Sequence, residues 1–150
     1  MSLLSIFQKK FFSKEDESLI VKAIQEAELG TSGEIRVHLS KKIHQDVLQD
    51  AAACFSKLKM DQTARRNGVL IYIVPSAHQF SIIGDVGFHA IAGDEFWQSE
   101  KQIIENSFKA GQYAKGVADG IEAVGKILKV HFPREDNDVN ELNDEISYGK

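Results

Sequence analysis

The chain lacks several features that define whole classes of protein. It has a single cysteine among its 150 residues, Cys54, so an intramolecular disulfide and a secreted disulfide scaffold are excluded. It has no run of about 20 apolar residues, the length that a membrane-spanning helix needs. The apolar run within residues 1–12 is too short for a signal peptide, and no cleavage site of small residues follows it. We therefore expect a cytoplasmic protein with no transmembrane segment.

The chain also lacks an excess of basic residues. Its formal net charge is −4, and residues outside 134–150 carry equal numbers of acids and bases. A nucleic-acid partner calls for a basic patch or stripe, so we expect none. The whole negative excess lies in residues 134–150, which are polar and acidic and therefore predicted to be a disordered tail.

What remains has the composition of one globular domain. Hydrophobic residues make up 43% and charged residues 27% of the chain, which is ordinary for a soluble protein with a core. We place this domain at residues 13–133. Residues 1–12 carry apolar side chains at helical spacing, which predicts an amphipathic segment that docks on the domain. The alternative for this segment is an anchor at a membrane surface.

Hydrophobic periodicity predicts helices and strands in alternation. Predicted helices run from Ser13 to Gly30, about Gln45 to Lys59, about Glu95 to Lys109 with Asp94 as N-cap, and about Tyr113 to Val130; predicted strands are Glu34 to Leu39, Gly68 to Val74 and Gln79 to Gly84. The order strand, helix, strand and returning strand indicates an α/β fold. Its sheet would be a βαβ unit extended by an antiparallel hairpin strand.

This topology brings polar residues that are distant in sequence to one end of the sheet. The first two strands begin at this end, which places Glu34 beside Asn67. The third strand runs back and ends there with Asp85 and His89, in a loop whose glycines allow close backbone approach to a ligand. Carboxylate, amide and carbonyl oxygens are the ligands that Ca²⁺ and Mg²⁺ prefer. The pattern therefore predicts a divalent-cation site at this end of the sheet.

Two further acids can approach the same place, Asp94 and Asp119, which makes the candidate metal ligands Glu34, Asp85, Asp94 and Asp119. Each has a structural alternative. Asp94 is suited to capping a helix, and Asp85 can bond to its own turn. Glu34 can face solvent or pair with an arginine, and Asp119 can be a surface charge.

Two other functions remain open. Arg65 and Arg66 precede the second strand and can hold a phosphate beside the metal, the minimum for metal-assisted phosphomonoester hydrolysis. No catalytic residue is assigned, because the chain has no nucleophile elbow, P-loop, dinucleotide fingerprint or zinc-protease motif. The other alternative is a metal-independent protein-interaction module that works through either end of the chain.

Five segments of the chain form a pattern when taken in order: Phe12-Ser13-Lys14-Glu15, Thr31-Ser32-Gly33-Glu34-Ile35-Arg36-Val37, Arg66-Asn67-Gly68-Val69-Leu70-Ile71-Tyr72, Ile83-Gly84-Asp85-Val86-Gly87 and Gly116-Val117-Ala118-Asp119-Gly120-Ile121. Together they resemble the TPM domain, a family named for a thylakoid lumen protein, a photosystem II repair protein and a receptor-associated membrane protein. The resemblance runs from about residue 11 to residue 133 and points to a stand-alone, soluble bacterial member. It implies a three-layer α/β/α sandwich around a small mixed sheet, with a divalent-cation site at the sheet edge.

The resemblance also bears on function. Acid phosphatase activity is attributed to plant members, and other members look like assembly or repair factors. The family's loop maps onto residues 85–89 and Asp94, but His89 stands where many relatives have Glu, and Gln112 where many have Asp. Both departures remove a carboxylate and count against inherited catalysis. We expect a monomeric module that binds Ca²⁺ in preference to Mg²⁺, has an assembly-type or stress-type binding role, and has another protein as its possible partner.

Overall fold

The computed structural model describes residues 11–134 and 144–149. Nearly all of the predicted N-terminal segment, and residues 135–143 of the predicted acidic tail, lie outside the described residues. The helices are α1 (Lys14–Glu28), α2 (Val47–Lys57), α3 (Val86–Lys109) and α4 (Tyr113–His131), and the strands are β1 (Glu34–Leu39), β2 (Gly68–Val74), β3 (Gln79–Gly84) and β4 (Ser147–Tyr148). Short 3-10 turns cover Met60–Gln62 and Pro75–Ala77.

The four strands form one mixed sheet in the order β3-β2-β1-β4. Strands β1 and β2 are parallel, with Glu34 opposite Gly68, and β3 returns antiparallel to β2. The predicted βαβ unit with its antiparallel hairpin strand is therefore confirmed. The short strand β4 pairs in parallel with the other side of β1.

Strand β2 shows why the sheet lies between two layers of helices. Its seven residues are all buried. Val69, Ile71 and Ile73 belong to the core formed with α1 and α4, whereas Leu70, Tyr72 and Val74 pack with residues of α2. Side chains alternate between the faces of a strand, so an apolar run without polar breaks needs cover on both faces. The α/β sandwich is confirmed.

Local signals fix the helices around this sheet. Ser13 and Asp16 form a capping box at the start of α1: the Asp16 amide donates to Ser13 Oγ (3.0 Å) and the Ser13 amide to Asp16 Oδ2 (3.1 Å). Helix α1 then crosses α4 closely, because Gly125 presents no side chain to Ala27. None of the helices in the described part of the chain is both long enough and apolar enough to cross a membrane.

Helix α3 differs from its prediction. It begins at Val86 with Asp85 as its N-cap, whereas the sequence predicted a start at Glu95 with Asp94 as the cap. Gly93 has φ 75° and ψ 169°, so the helix is broken in its middle and continues as two segments across a kink. The sequence pattern located this break, but the segment before it was taken for a loop.

The C-terminal residues also differ from their prediction. The segment 134–150 was expected to be disordered, yet residues 144–149 lie against the sheet. Ile146 is buried in the main core and the Gly149 amide donates to the Leu39 carbonyl (2.7 Å). Composition predicted disorder because acids surround these residues, but burial of Ile146 and the backbone pairing of Ser147 and Tyr148 with β1 add a strand.

Candidate metal centre

The backbones of the predicted site residues converge as the topology requires. Glu34 lies opposite Gly68, and the Asp85 amide donates to the Gly68 carbonyl (2.8 Å). The side chains nevertheless separate into two groups, because β1 and β3 lie on opposite sides of β2. Two strand spacings separate their backbones by about 10 Å, and the Asp85 carboxylate bonds to Arg66 and is not grouped with the acids on the β1 side.

The first group is an acidic cluster formed by Glu28, Glu34 and Asp144. One carboxylate oxygen of each residue lies within 4.8 Å of the others, and this is the only group of three or more His, Cys, Asp or Glu side chains so arranged within residues 11–134 and 144–149. Glu28 and Glu34 are 8% and 2% exposed. The three carboxylates come from the end of α1, the start of β1 and the segment before β4, so the cluster joins three separate parts of the chain.

Hydrogen bonding fixes the cluster at the outer edge of β1. The Ser40 amide donates to Ile73 of β2, and the Gly149 amide donates to the Leu39 carbonyl, so even-numbered amides of β1 face β2 and odd-numbered positions face β4. The Ile35 amide, on the β4 side, donates to Glu28 Oε2 (2.9 Å). Glu28 is thereby held where the C-terminal segment joins the sheet.

The electrostatics of the cluster favour a positive ligand or a shared proton. Burial, a hydrogen bond with Asp144 and the nearby charges of Glu34 and Asp144 raise the pKa of Glu28 to about 10, against the opposing effect of the Ile35 amide. Like charges close together disfavour ionisation. At neutral pH the carboxyl of Glu28 therefore holds a proton unless a cation takes its place.

The second group is built around Asp85, on the β3 side. Arg66 donates to its two carboxylate oxygens from Nε (2.7 Å) and Nη2 (2.9 Å), and the Val86 amide donates to Oδ1 (2.8 Å). The Asp85 side chain is 4% exposed and that of Arg66 48%. A two-pronged arginine–carboxylate pair holds a fixed geometry, so Asp85 ties the loop before β2 to the start of α3.

The remaining predicted ligands lie outside the acidic cluster. Asp94 is exposed, directly after the kink in α3. Asp119 accepts a hydrogen bond from Lys115 Nζ (2.7 Å) one turn earlier on α4. Of the four predicted metal ligands the structure therefore places only Glu34 in the acidic cluster.

The other residues expected at this end of the sheet have structural contacts. Asn67 is fully buried and its Nδ2 donates to Ser32 Oγ (3.2 Å). His89 Nδ1 accepts a hydrogen bond from Trp97 Nε1 (2.8 Å). Arg65 is exposed and lies beside Arg66 in the loop before β2. Its backbone carbonyl approaches Gly87 of α3 so closely that a Cβ added at Gly87 would lie 2.5 Å from the carbonyl oxygen. The two arginines thus belong to the Asp85 side of the sheet, apart from the acidic cluster.

Sequence reasoning missed Glu28 and Asp144. An acid at the C-terminal end of a helix opposes the helix dipole, and α1 has no basic residue in its last turn. This unfavourable position at a helix end was the sequence feature that could have identified Glu28. Asp144 carried no signal of its own, because the acids around it are typical of a solvated tail.

Comparison with known proteins agrees with the fold and the motifs. The sequence profile of the TPM domain matches residues 6–127. The chain belongs to the TPM domain family. None of the curated proteins shows significant sequence similarity to it.

Several solved structures have a similar fold. The NMR structure of the BA42 protein from the psychrophilic bacterium Bizionia argentinensis is 43% identical, covers 94% of this chain and 97% of its own, and superposes with a TM-score of 0.86. The N-terminal domain of a P. gingivalis protein (17% identity, coverage 83% and 83%, TM-score 0.68) shares the fold. So does the N-terminal domain of cg2496 from Corynebacterium glutamicum (15%, coverage 78% and 74%, TM-score 0.62).

Proposed function

We propose that this TPM-domain protein binds a divalent cation, Ca²⁺ in preference to Mg²⁺, through Glu28, Glu34 and Asp144. The observation that carries the proposal is the meeting of three carboxylates from separate segments within 4.8 Å, two of them buried. Holding three carboxylates this close together, two of them buried, costs free energy unless a positive charge balances them. Ca²⁺ accepts several carboxylates in irregular geometry, whereas Mg²⁺ demands a near-ideal octahedron and keeps most of its water.

The cation would join the C-terminal segment to the body of the domain. Asp144 lies shortly before β4, while Glu28 and Glu34 flank the turn between α1 and β1. Binding would therefore favour the docked arrangement of residues 144–149. This supports a cation-dependent binding module, with an assembly-type or stress-type role, in which the metal is structural or regulatory.

The phosphatase alternative has less support. Arg65 and Arg66, which were predicted to bind a phosphate, lie on the Asp85 side of the sheet, and two donor nitrogens of Arg66 already bond to Asp85. A metal in the acidic cluster would lie about two strand spacings from them. Phosphate and metal would then not share one site, as metal-assisted hydrolysis requires.

The test is calcium titration of metal-stripped protein followed by calorimetry and by amide NMR shifts. Wild-type protein should show saturable binding, with shifts clustered at residues 28–36 and 144–149. Glu34→Gln and Asp144→Asn should each weaken binding at least tenfold. Asp119→Asn removes the same charge from the exposed face of α4 and should bind like wild type.

Two results would contradict this assignment. Wild-type affinity in both Glu34→Gln and Asp144→Asn would remove the acidic cluster as the site. Loss of binding on Asp85→Asn, with those two variants unaffected, would instead place the cation on the β3 side of the sheet, where the sequence first suggested it.

A further inference from the structure

Strand β3 is an outer strand of the sheet and pairs only with β2 among the described residues. The Asp85–Gly68 hydrogen bond sets the alternation of the antiparallel ladder, so Ser81 and Ile83 direct their backbone groups to β2. The backbone N–H and C=O groups of Phe80 and Ile82 then point away from the sheet. Within residues 11–134 and 144–149 no further strand continues the ladder on that side. Such an edge is a template for an added strand.

A cavity of about 570 Å³ opens beside the first residues of β3. Its aromatic wall consists of Phe80, Phe108 and Tyr113, with ring centroids 5.4 Å apart for Phe80–Phe108 and 5.1 Å for Phe108–Tyr113. Val47 also lines the cavity, and its helix, α2, packs on the face of the sheet opposite to α3. A space that reaches both helix layers has to pass around the sheet, so this aromatic cavity lies at the corner formed by the β3 edge and its hairpin turn.

The rim of the aromatic cavity carries two lysines and one glutamate, a small positive excess in a chain that is acidic as a whole. Lys101 and Lys109 are exposed along the α3 side, with Glu105 between them. Neither lysine makes an ion pair within the described part of the chain. Opposite charge across an interface steers association and selects partners. The rim therefore favours a partner that carries acids.

A second copy of the chain fits this surface poorly. In symmetric pairing of β3 with β3 the added strand would be Gln79–Gly84 of the other copy, which contains no acidic residue. The rim lysines would then meet no carboxylate on the added strand. The charge of the rim thus argues for a different, acidic strand.

We propose that the outer edge of β3, which no strand of the described residues covers, binds an extended acidic peptide of a partner protein as an additional strand. Its backbone would pair with the outward groups of Phe80 and Ile82, and one apolar side chain would enter the aromatic cavity. Its carboxylates would contact Lys101 and Lys109. Backbone pairing supplies affinity and alternate side-chain pockets supply specificity in this mode of recognition.

The first experiment is selection of 12-residue peptides from a random phage-displayed library on the full-length protein. Enriched peptides should combine two or more acids with an apolar anchor. They should bind Lys101→Glu/Lys109→Glu at least tenfold more weakly. Lys22→Glu/Lys129→Glu changes the net charge equally at exposed positions of α1 and α4 and should bind like wild type.

Hydrogen exchange then separates strand addition from simple surface attachment. Free protein should exchange the Phe80 and Ile82 amides fast and the Ser81 and Ile83 amides slowly, and the selected peptide should slow the first pair. The proposal is overturned by a failure to enrich peptides, by equal loss of binding in the two double variants, or by unchanged exchange at Phe80 and Ile82. A dimer through β3, seen as doubled mass in sedimentation, would also overturn it.

Discussion

At the scale of single residues, Glu28 determines how stability depends on pH. Its pKa is raised to about 10 in the folded protein, so folding favours the protonated form. That contribution is complete below the ordinary value of 4.5 and is lost progressively as pH rises towards 10. We predict that Glu28→Gln, which keeps a neutral side chain of the same shape, flattens the fall in stability of metal-free protein between pH 5 and pH 9.

Urea unfolding in the presence of a chelator measures this effect of Glu28→Gln. Glu26→Gln, an exposed position on the same helix, is the matched control and should keep the wild-type dependence. Equal pH dependence in the two variants would show that the carboxyl of Glu28 is not held in its neutral form.

Glu100, on α3, offers a second prediction at this scale. Burial and the charge of Asp119 raise its pKa to about 7, and Oε1 has no hydrogen-bond partner within the described residues. Since the pKa is raised, its charged form opposes folding as pH increases from 4.5 to 7 and above. Glu100→Gln should therefore stabilise the protein by about 3 kcal/mol at pH 8.5 but only about 1 kcal/mol at pH 5.

Chemical unfolding at the two pH values tests this prediction for Glu100. Glu95→Gln, an exposed position earlier on the same helix, should change the free energy of unfolding by less than about 0.5 kcal/mol at both. A stabilisation by Glu100→Gln that does not grow with pH would mean that this carboxylate is ionised at little cost.

At the scale of elements, the crossing of α1 and α4 depends on Gly125. A Cβ there would lie 2.7 Å from Ala27 Cβ and 3.1 Å from its Cα, whereas at Gly120 it would lie 3.0 Å from the end of the Ile104 side chain. Alanine gains helix propensity of about 1 kcal/mol at either position. Gly125→Ala should nevertheless destabilise by about 1–3 kcal/mol, because the helices must move apart.

Gly120→Ala is the control for this prediction, because a flexible side-chain end can shift. The free energy of unfolding of Gly120→Ala should equal or exceed that of wild type. Equal effects of the two substitutions in urea unfolding would show that the α1–α4 spacing is not fixed by Gly125.

The elements also show which parts of the structure the sequence could predict. Strands β1, β2 and β3 match their predicted bounds because alternation and continuous burial leave a direct pattern. The early start of α3 was missed because Gly84 and Gly87 on either side of Asp85 give a turn signal, whereas in the structure Asp85 caps the helix. Strand β4 was missed because two paired residues are too few to outweigh an acidic composition.

The candidate site, too, could be predicted from the sequence only in part. Topology predicted that Glu34, Asn67 and Asp85 meet at one end of the sheet, and in the structure Glu34 and Asp85 both lie against Gly68, the residue after Asn67. It could not give the side-chain neighbours, which depend on the strand edge where each carboxylate lies. Asp85 is directed to Arg66, while Glu34 meets Glu28 and Asp144, whose positions follow from the packing of α1 and of the C-terminal segment.

At the scale of the whole molecule, a cation in the acidic cluster would link the C-terminal segment to the rest of the fold. A ligand present at a hundred times its Kd adds about 2.7 kcal/mol to stability if it binds only the folded state. For a chain of this length that corresponds to a rise in Tm of about 5–10 °C. We therefore expect calcium to raise Tm in wild-type protein and to raise it at most about half as much in Asp144→Asn, because tenfold weaker binding leaves about 1.4 kcal/mol of stabilisation at the same concentration.

Hydrogen exchange shows whether the cation holds the C-terminal segment. Any opening that breaks the acidic cluster releases the ion and is disfavoured by the same free energy, whether residues 144–149 detach locally or the whole domain unfolds. Calcium should therefore slow exchange of the Gly149 amide, which bonds to Leu39, by about the same factor as exchange of amides in the centre of β2. Slowing in β2 without slowing at Gly149 would mean that the segment detaches while the ion stays bound, and the linkage through Asp144 would then be wrong.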